Sequence, residues 1–138
     1  MINKIIINCD GGARGNPGPA ASAFIARKNG KIIIERSKFL GNATNNIAEY
    51  SGVIDALTWL KNYNYHVEDL FIEIFLDSEL VTKQLLGIYK TKNPKLKELL
   101  LAAKLLERKI NIQINYKLIR REKNFEADLL VNKVLNNL

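Results

Sequence analysis

Four acidic residues stand where they could do chemistry together: Asp10, Glu49, Asp77 and Asp128. Asp10 follows the apolar run Ile5-Ile6-Ile7 and precedes a stretch rich in glycine and proline, so it sits at the end of a candidate buried strand beside a loop of little side-chain bulk. Asp77 repeats the pattern after a second apolar run, residues 70–76. Glu49 falls in the first turn of a helical pattern, and Asp128 near the start of the last one. Carboxylates gathered in one place repel one another and need a compensating cation. Hard oxygen ligands suit Mg²⁺ or Mn²⁺. Two such ions about 3.5–4 Å apart would stabilise both the attacking and the leaving oxygen of a phosphodiester displacement, with an activated water replacing any protein nucleophile. Spacing alone leaves a second reading open, four unrelated surface acids, because convergence depends on the fold. With one cysteine and one histidine, His66, no Ser-His-Asp or Cys-His arrangement can be assembled.

The elements that would position these acids follow from periodicity and turn chemistry. Residues 3–9, 20–27 and 31–39 read as three strands, the last two joined by Asn29-Gly30, a strong hairpin signal. Residues 41–46 form a polar connector with several candidate helix caps. The following helix carries Ile47, Tyr50, Ile54 and Leu57 on one side and the small residues Ala48, Gly52 and Ala56 beside them, and ends near residues 61–64. After the strand at 70–76 come a short helix at 78–87 and a longer one from Pro94 to about Arg108, broadly apolar and expected to be well buried. Residues 110–118 alternate as a half-buried strand, 119–123 form a charged loop, and Asn124 is a candidate cap for a final helix striped by Ala127, Leu130, Val131, Val134 and Leu138. An antiparallel meander followed by strands alternating with helices implies a mixed sheet with helices on its faces. Right-handed crossovers set strands one, four and five parallel, placing Asp10 and Asp77 at the same carboxyl-terminal edge.

Composition narrows the class. The 138 residues suit a single domain spanning 1–138, 47% hydrophobic and 25% charged, able to build a core without staples. Cys9 has no intramolecular partner, residues 5–7 are too short for a signal peptide, and no apolar run approaches the roughly 20 residues of a membrane span. A cytoplasmic protein with no membrane partner is expected. The net charge of +7 fits a polyanionic partner.

The chain resembles the type 1 ribonuclease H family, the ribonuclease HI family. The matching pieces are Asp10-Gly11-Gly12 with Asn16-Pro17-Gly18, then Thr44-Asn45-Asn46-Ile47-Ala48-Glu49, Asp77-Ser78, and Arg121-Glu122-Lys123-Asn124-Phe125-Glu126-Ala127-Asp128. They lie in family order and cover nearly the whole chain. The resemblance implies a ribonuclease H-like α/β fold: a mixed five-stranded sheet, three antiparallel strands then parallel strands, with helices on both faces. It implies an endonuclease that hydrolyses the RNA strand of RNA–DNA hybrids with two Mg²⁺ ions, Mn²⁺ substituting, and leaves 5′-phosphate and 3′-hydroxyl ends. By position Asp10, Glu49, Asp77 and Asp128 correspond to the catalytic, metal-binding carboxylates. Asp10 would be shared by both ions, Glu49 and Asp77 would serve the ion at the leaving oxygen, and Asp128 the ion at the attacking water.

The resemblance also implies substrate contacts. Reading RNA requires groups that recognise a 2′-hydroxyl as donor and acceptor. Asn45 and Asn46 match residues facing the hybrid's minor groove, Gly11 and Gly12 would let the backbone approach the RNA, and Asn16 belongs to the same motif. Thr44 resembles a residue that holds a DNA phosphate, with Asn93 as its partner. Lys90, Lys92, Lys95 and Lys97 would track the DNA backbone or form a solvated face, and Trp59 would support the DNA strand or pack in the core. The pattern departs from many relatives in having no histidine on the loop before Asp128, where Arg121 or Glu122 would substitute in product release. His66 lies elsewhere and reads as a loop residue. A monomer is expected, its affinity for substrate sensitive to salt. Two rival readings remain at this stage: a non-catalytic hybrid- or RNA-binding module, which would be expected to have lost a carboxylate, and another metal-dependent nuclease of the same superfamily, whose exonucleases carry Asp-x-Glu where this chain has Asp10-Gly11-Gly12.

Overall fold

Short β-branched runs and a two-residue turn start the chain as a meander. A computed structural model describes residues 3–63 and 70–138. The strands β1 (Asn3–Ala13), β2 (Gly18–Lys28) and β3 (Lys31–Ala43) are followed by helix α1 (Asn45–Asn62), strand β4 (Leu70–Leu76), helices α2 (Glu79–Leu85) and α3 (Pro94–Ile110), strand β5 (Ile114–Leu118), a 3₁₀ turn (Arg121–Asn124) and helix α4 (Phe125–Asn136). Asn29 and Gly30 both take positive φ, 49° and 87°, as the tight hairpin between β2 and β3 requires.

The sheet order is β3-β2-β1-β4-β5. The meander pairs are antiparallel, and β1, β4 and β5 run parallel, as the crossover rule predicts. Side-chain alternation sends the two faces to different helices. Ile5, Ile7, Cys9, Phe24 and Ala26 join Tyr50, Val53, Leu57 and Leu60 of α1 and Leu96 and Ala103 of α3 in the main core. The opposite parity of β2, Ala21 and Ala23, packs on Val131 and Leu135 of α4. Trp59 belongs to the core side, its ring 6.2 Å from Phe24 and 4.8 Å from Tyr63.

Several boundaries differ from the sequence expectation, each for a tertiary reason. β1 does not stop at Asp10: its ladder with β2 continues from Asp10↔Ala23 to Ala13↔Ala20. What ends there is the parallel pairing with β4, whose last partner is Asn8↔Phe75. β3 likewise runs on through Gly41, Asn42 and Ala43, because β2 supplies partners up to Gly18↔Ala43. Helix α1 begins at Asn45, since the Thr44 hydroxyl accepts a hydrogen bond from the Ile47 amide at 3.2 Å, and Glu49 consequently lies in the second turn. Helix α3 buries only Leu96, Ala103 and Ile110 fully, while Leu101 and Leu105 are 61% and 48% exposed, because one side leans on α1 and the other meets solvent. It runs through Ile110, where Asn111 closes it at φ 56°, so β5 starts only at Ile114. In α4 the buried stripe ends on Leu135, and Leu138 is exposed. His66 lies outside the described residues.

Removing the α1 cap should have a modest, local cost. Thr44→Ala is expected to destabilise the protein by about 1 kcal/mol in urea unfolding, with the ion affinity of the acidic cluster changed less than its stability.

Candidate active site

The acids are brought together by glycines as much as by the sheet. α1 crosses β1 in direct backbone contact: a β-carbon on Gly11 would overlap the Ala48 carbonyl and stand 2.5 Å from the Glu49 nitrogen. One on Gly52 would stand 2.8 Å from the Asp10 carbonyl oxygen. This approach seats Glu49 above β1, where its Oε1 accepts from the Gly11 amide at 3.2 Å. Asp77 follows the last residue of the adjacent strand β4. Asp10, Glu49 and Asp77 thus each offer a carboxylate oxygen within 4.8 Å of the others. Asp128, in the first turn of α4, lines the same cleft, about 450 Å³ in volume, but is outside that tight group.

Electrostatically the cluster is incomplete as a set of anions. Asp10 and Glu49 are buried, 5% and 6% exposed. Burial is the main force pushing the Asp10 carboxyl up to about 7; Asp77 and Asp128 add repulsion, while hydrogen bonds from Glu49 and the Gly11 amide oppose it. Glu49 is raised well above the carboxylate range, again by burial first and then by Asp10. Buried side by side, the two carboxyls favour keeping a proton over both being ionised. Among the described residues no lysine or arginine forms an ion pair with any of the three. Glu49 Oε2 is buried with no hydrogen-bond partner. A buried carboxylate oxygen left unpaired is costly, and here its carboxylate is grouped with two others. An all-oxygen set with an orphaned acceptor fits a hard divalent cation and suits no softer metal.

The other expected site residues divide into two groups. Gly11, Gly12, Asn45, Asn46 and Arg121 line the cleft. Asn45 is also built into its wall: its Oδ1 accepts from the Ala13 amide at 2.8 Å, and its own amide donates to Asn16 Oδ1 at 3.0 Å. Asn16 therefore braces the cleft and does not line it. Thr44 and Asn93 are also outside the lining, both acting as helix caps; Asn93 Oδ1 accepts from Leu96 N at 3.1 Å. Glu122 is off the cleft, 3.9 Å from Arg120 in an exposed ion pair. Lys90, Lys92, Lys95 and Lys97 are all exposed.

Two residues escaped the sequence reading. Arg14 lines the cleft, its guanidinium donating to Asn136 Oδ1 at 2.5 Å and Asn132 Oδ1 at 3.4 Å on α4. Its only sequence signal was its place in the loop-like stretch after Asp10. Asn124 does not cap α4 with its side chain, contrary to expectation. It is buried and turned inward, donating to Asp77 Oδ2. A buried asparagine four residues before an acid looks, in sequence, like a helix start.

A five-stranded sheet of this order with an acidic cleft at its parallel edge defines the ribonuclease H-like class of α/β proteins. The family model described as "Reverse transcriptase-like" matches residues 8–134. The chain is 34% identical over 135 residues to the "Bifunctional protein Rv2228c" of Mycobacterium tuberculosis, covering 96% of this chain and 36% of that protein. It is 38% identical over 130 residues to the "Ribonuclease HI" of Halobacterium salinarum, covering 93% of this chain and 62% of that protein. The chain thus spans between about a third and somewhat under two thirds of the length of these curated relatives. Among solved structures, that of LC11-RNase H1, a protein isolated from compost, in complex with RNA/DNA hybrid matches with a TM-score of 0.91 at 39% identity, covering 96% of this chain and 97% of that one. The chain belongs to the type 1 ribonuclease H family.

Proposed function

We propose that this protein is a divalent-ion-dependent endoribonuclease that hydrolyses the RNA strand of RNA–DNA hybrids, leaving 5′-phosphate and 3′-hydroxyl ends. The observation that carries this reading is the approach of Asp10, Glu49 and Asp77 within 4.8 Å, with Glu49 Oε2 buried and unpartnered. Asp10, Glu49, Asp77 and Asp128 are the residues that would hold two ions, Mg²⁺ or in its place Mn²⁺. Bound there, such ions supply Lewis-acid activation of water and stabilisation of the departing 3′ oxygen.

The chain's own groups account for the rest. Asp10 and Glu49 would hold the ions in their ionised forms, so ion binding would compete with the proton that burial favours there. Gly12 leaves the floor of the cleft free of side-chain bulk, while the bare Gly11 lets α1 bring Glu49 to β1. Asn45 and Asn46 present amides able to donate to and accept from a 2′-hydroxyl, and Asn45 is held in place by Ala13 and Asn16. Arg14 and Arg121 line the cleft and would supply positive charge to a phosphate backbone bound there. The complex of LC11-RNase H1 with an RNA/DNA hybrid supports the choice of substrate.

The test uses labelled RNA–DNA hybrid, single-stranded RNA, double-stranded RNA and double-stranded DNA, each with Mg²⁺, Mn²⁺ or chelator. Internal cuts confined to the RNA of the hybrid, abolished by chelator and weakened as salt rises, are expected. Tight hybrid binding with no cleavage under either ion would make this a binding module and overturn the proposal.

A further inference from the structure

Asp77 is the least supported of the clustered acids. It lies just beyond the end of β4, so no sheet ladder fixes its backbone, and it is not part of α2, which Ser78 caps. Its carboxylate is nevertheless aligned with Asp10 and Glu49.

The side chain that aligns it is Asn124, 1% exposed. One Nδ2 hydrogen goes to Asp77 Oδ2 at 3.1 Å and the other to the Cys9 carbonyl at 2.8 Å, while Oδ1 accepts from Asn8 Nδ2 at 3.0 Å. Both amide hydrogens are thereby used. The Cys9 carbonyl belongs to the peptide that leads into Asp10, and Asn124 is one helical turn ahead of Asp128. A single buried amide therefore ties β1 at Asp10, the carboxylate of Asp77 and the root of the helix bearing Asp128. Neither an acid nor an aliphatic residue would serve here: a carboxylate would repel Asp77, and an aliphatic group would leave the Cys9 carbonyl and the Asn8 amide unpaired.

We infer that Asn124 is the positioning residue of the acidic site, holding one oxygen of Asp77 against Asp10 and thereby setting the affinity for divalent ions. The inference rests on the reading of the cluster as an ion site. Partners that orient ligating groups are worth about 10- to 100-fold in metal affinity or activity, and Asn124 orients one ligand directly while bonding beside another.

The test is Mn²⁺ binding to the protein without nucleic acid, measured by calorimetry or by the electron paramagnetic resonance of free Mn²⁺, with melting temperature and hybrid cleavage recorded in parallel. Asn124→Ala is expected to weaken Mn²⁺ binding about tenfold or more, to shift the Mn²⁺ dependence of cleavage to higher concentration by a similar factor, and to leave KM for the hybrid little changed. Asn8→Ala, which leaves both donor bonds of Asn124 intact, should weaken binding by less than about threefold by the same principle. Asn124→Ser retains one donor and covers the case in which the alanine variant does not fold; it should fall between the two. A wild-type protein that binds no Mn²⁺ would refute the ion-site reading itself. A wild type that binds, with Asn124 variants that melt lower yet bind Mn²⁺ equally well, would leave Asn124 a structural strut and overturn this inference alone.

Discussion

Replacing Asp10 by asparagine should abolish cleavage of the hybrid and, in chelator, make the protein more stable. Asparagine keeps the shape of the side chain and removes its charge. The expected loss of activity is at least about 10³-fold, since several kcal/mol of charge stabilisation depend on the ligand and each 1.36 kcal/mol is tenfold. The stability gain has a separate origin. Asp10 is pushed up to about 7 chiefly by burial, then by Asp77 and Asp128. In the unfolded chain the carboxyl has its ordinary acidity. Between roughly pH 4 and 7 the unfolded chain therefore releases a proton that the folded protein retains, and stability declines as pH rises through that window. Above it the folded protein carries the full cost of buried like charges. Melting in chelator should accordingly be lower at pH 8 than at pH 5, with Asp10→Asn flattening this dependence and raising the melting temperature at pH 8 by about 3–8 °C. Divalent ions should restore the wild type most strongly at pH 8, because they compete with the proton. A melting temperature that rises with pH in chelator, or an active Asp10→Asn variant, would remove Asp10 from the site.

Gly11→Ala is expected to be strongly destabilising for so small a substitution. The added methyl carbon would overlap both the carbon and the oxygen of the Ala48 carbonyl, a backbone group that no rotamer can move aside. Helix α1 must shift off β1, which should cost about 3 kcal/mol or more, the upper range for overpacking, seen as a lower urea midpoint at similar slope. The shift also draws Glu49 away from the Gly11 amide and Asp10, so ion affinity should fall with stability. Gly12→Ala is the control, because its β-carbon would meet only Val131 Cγ1 at 3.8 Å. It should be neutral or stabilising by about 0.5 kcal/mol through the unfolded chain. Equal behaviour of the two variants would mean that α1 does not pack on β1 as described.

These two predictions separate what was legible in the chain from what was not. The four acids, their place after apolar runs, the Asn29-Gly30 hairpin and the parallel setting of β1, β4 and β5 all rest on local pattern or on chirality, and both are carried by sequence. The motifs around Asp10, Glu49, Asp77 and Asp128 carried the family resemblance as well. The packing role of Gly11 was not legible: it read as part of a loop of little bulk that lets the backbone approach RNA, whereas it lies in a strand and is required by a helix whose Glu49 is 38 residues away in the chain. Nor could α3 be seen to expose Leu101 and Leu105, since the extent of its contact depends on where α1 already lies. Asn124 shows the limit most plainly. Its local setting is that of a helix start, and only the meeting of β1, the end of β4 and the root of α4 turns its amide to Asp77 and the Cys9 carbonyl. Local pattern decides which residues can be ligands, strands and turns. The convergence of acids far apart in sequence, and the side chains that aim them, arise from close packing between elements, which no neighbouring residue encodes.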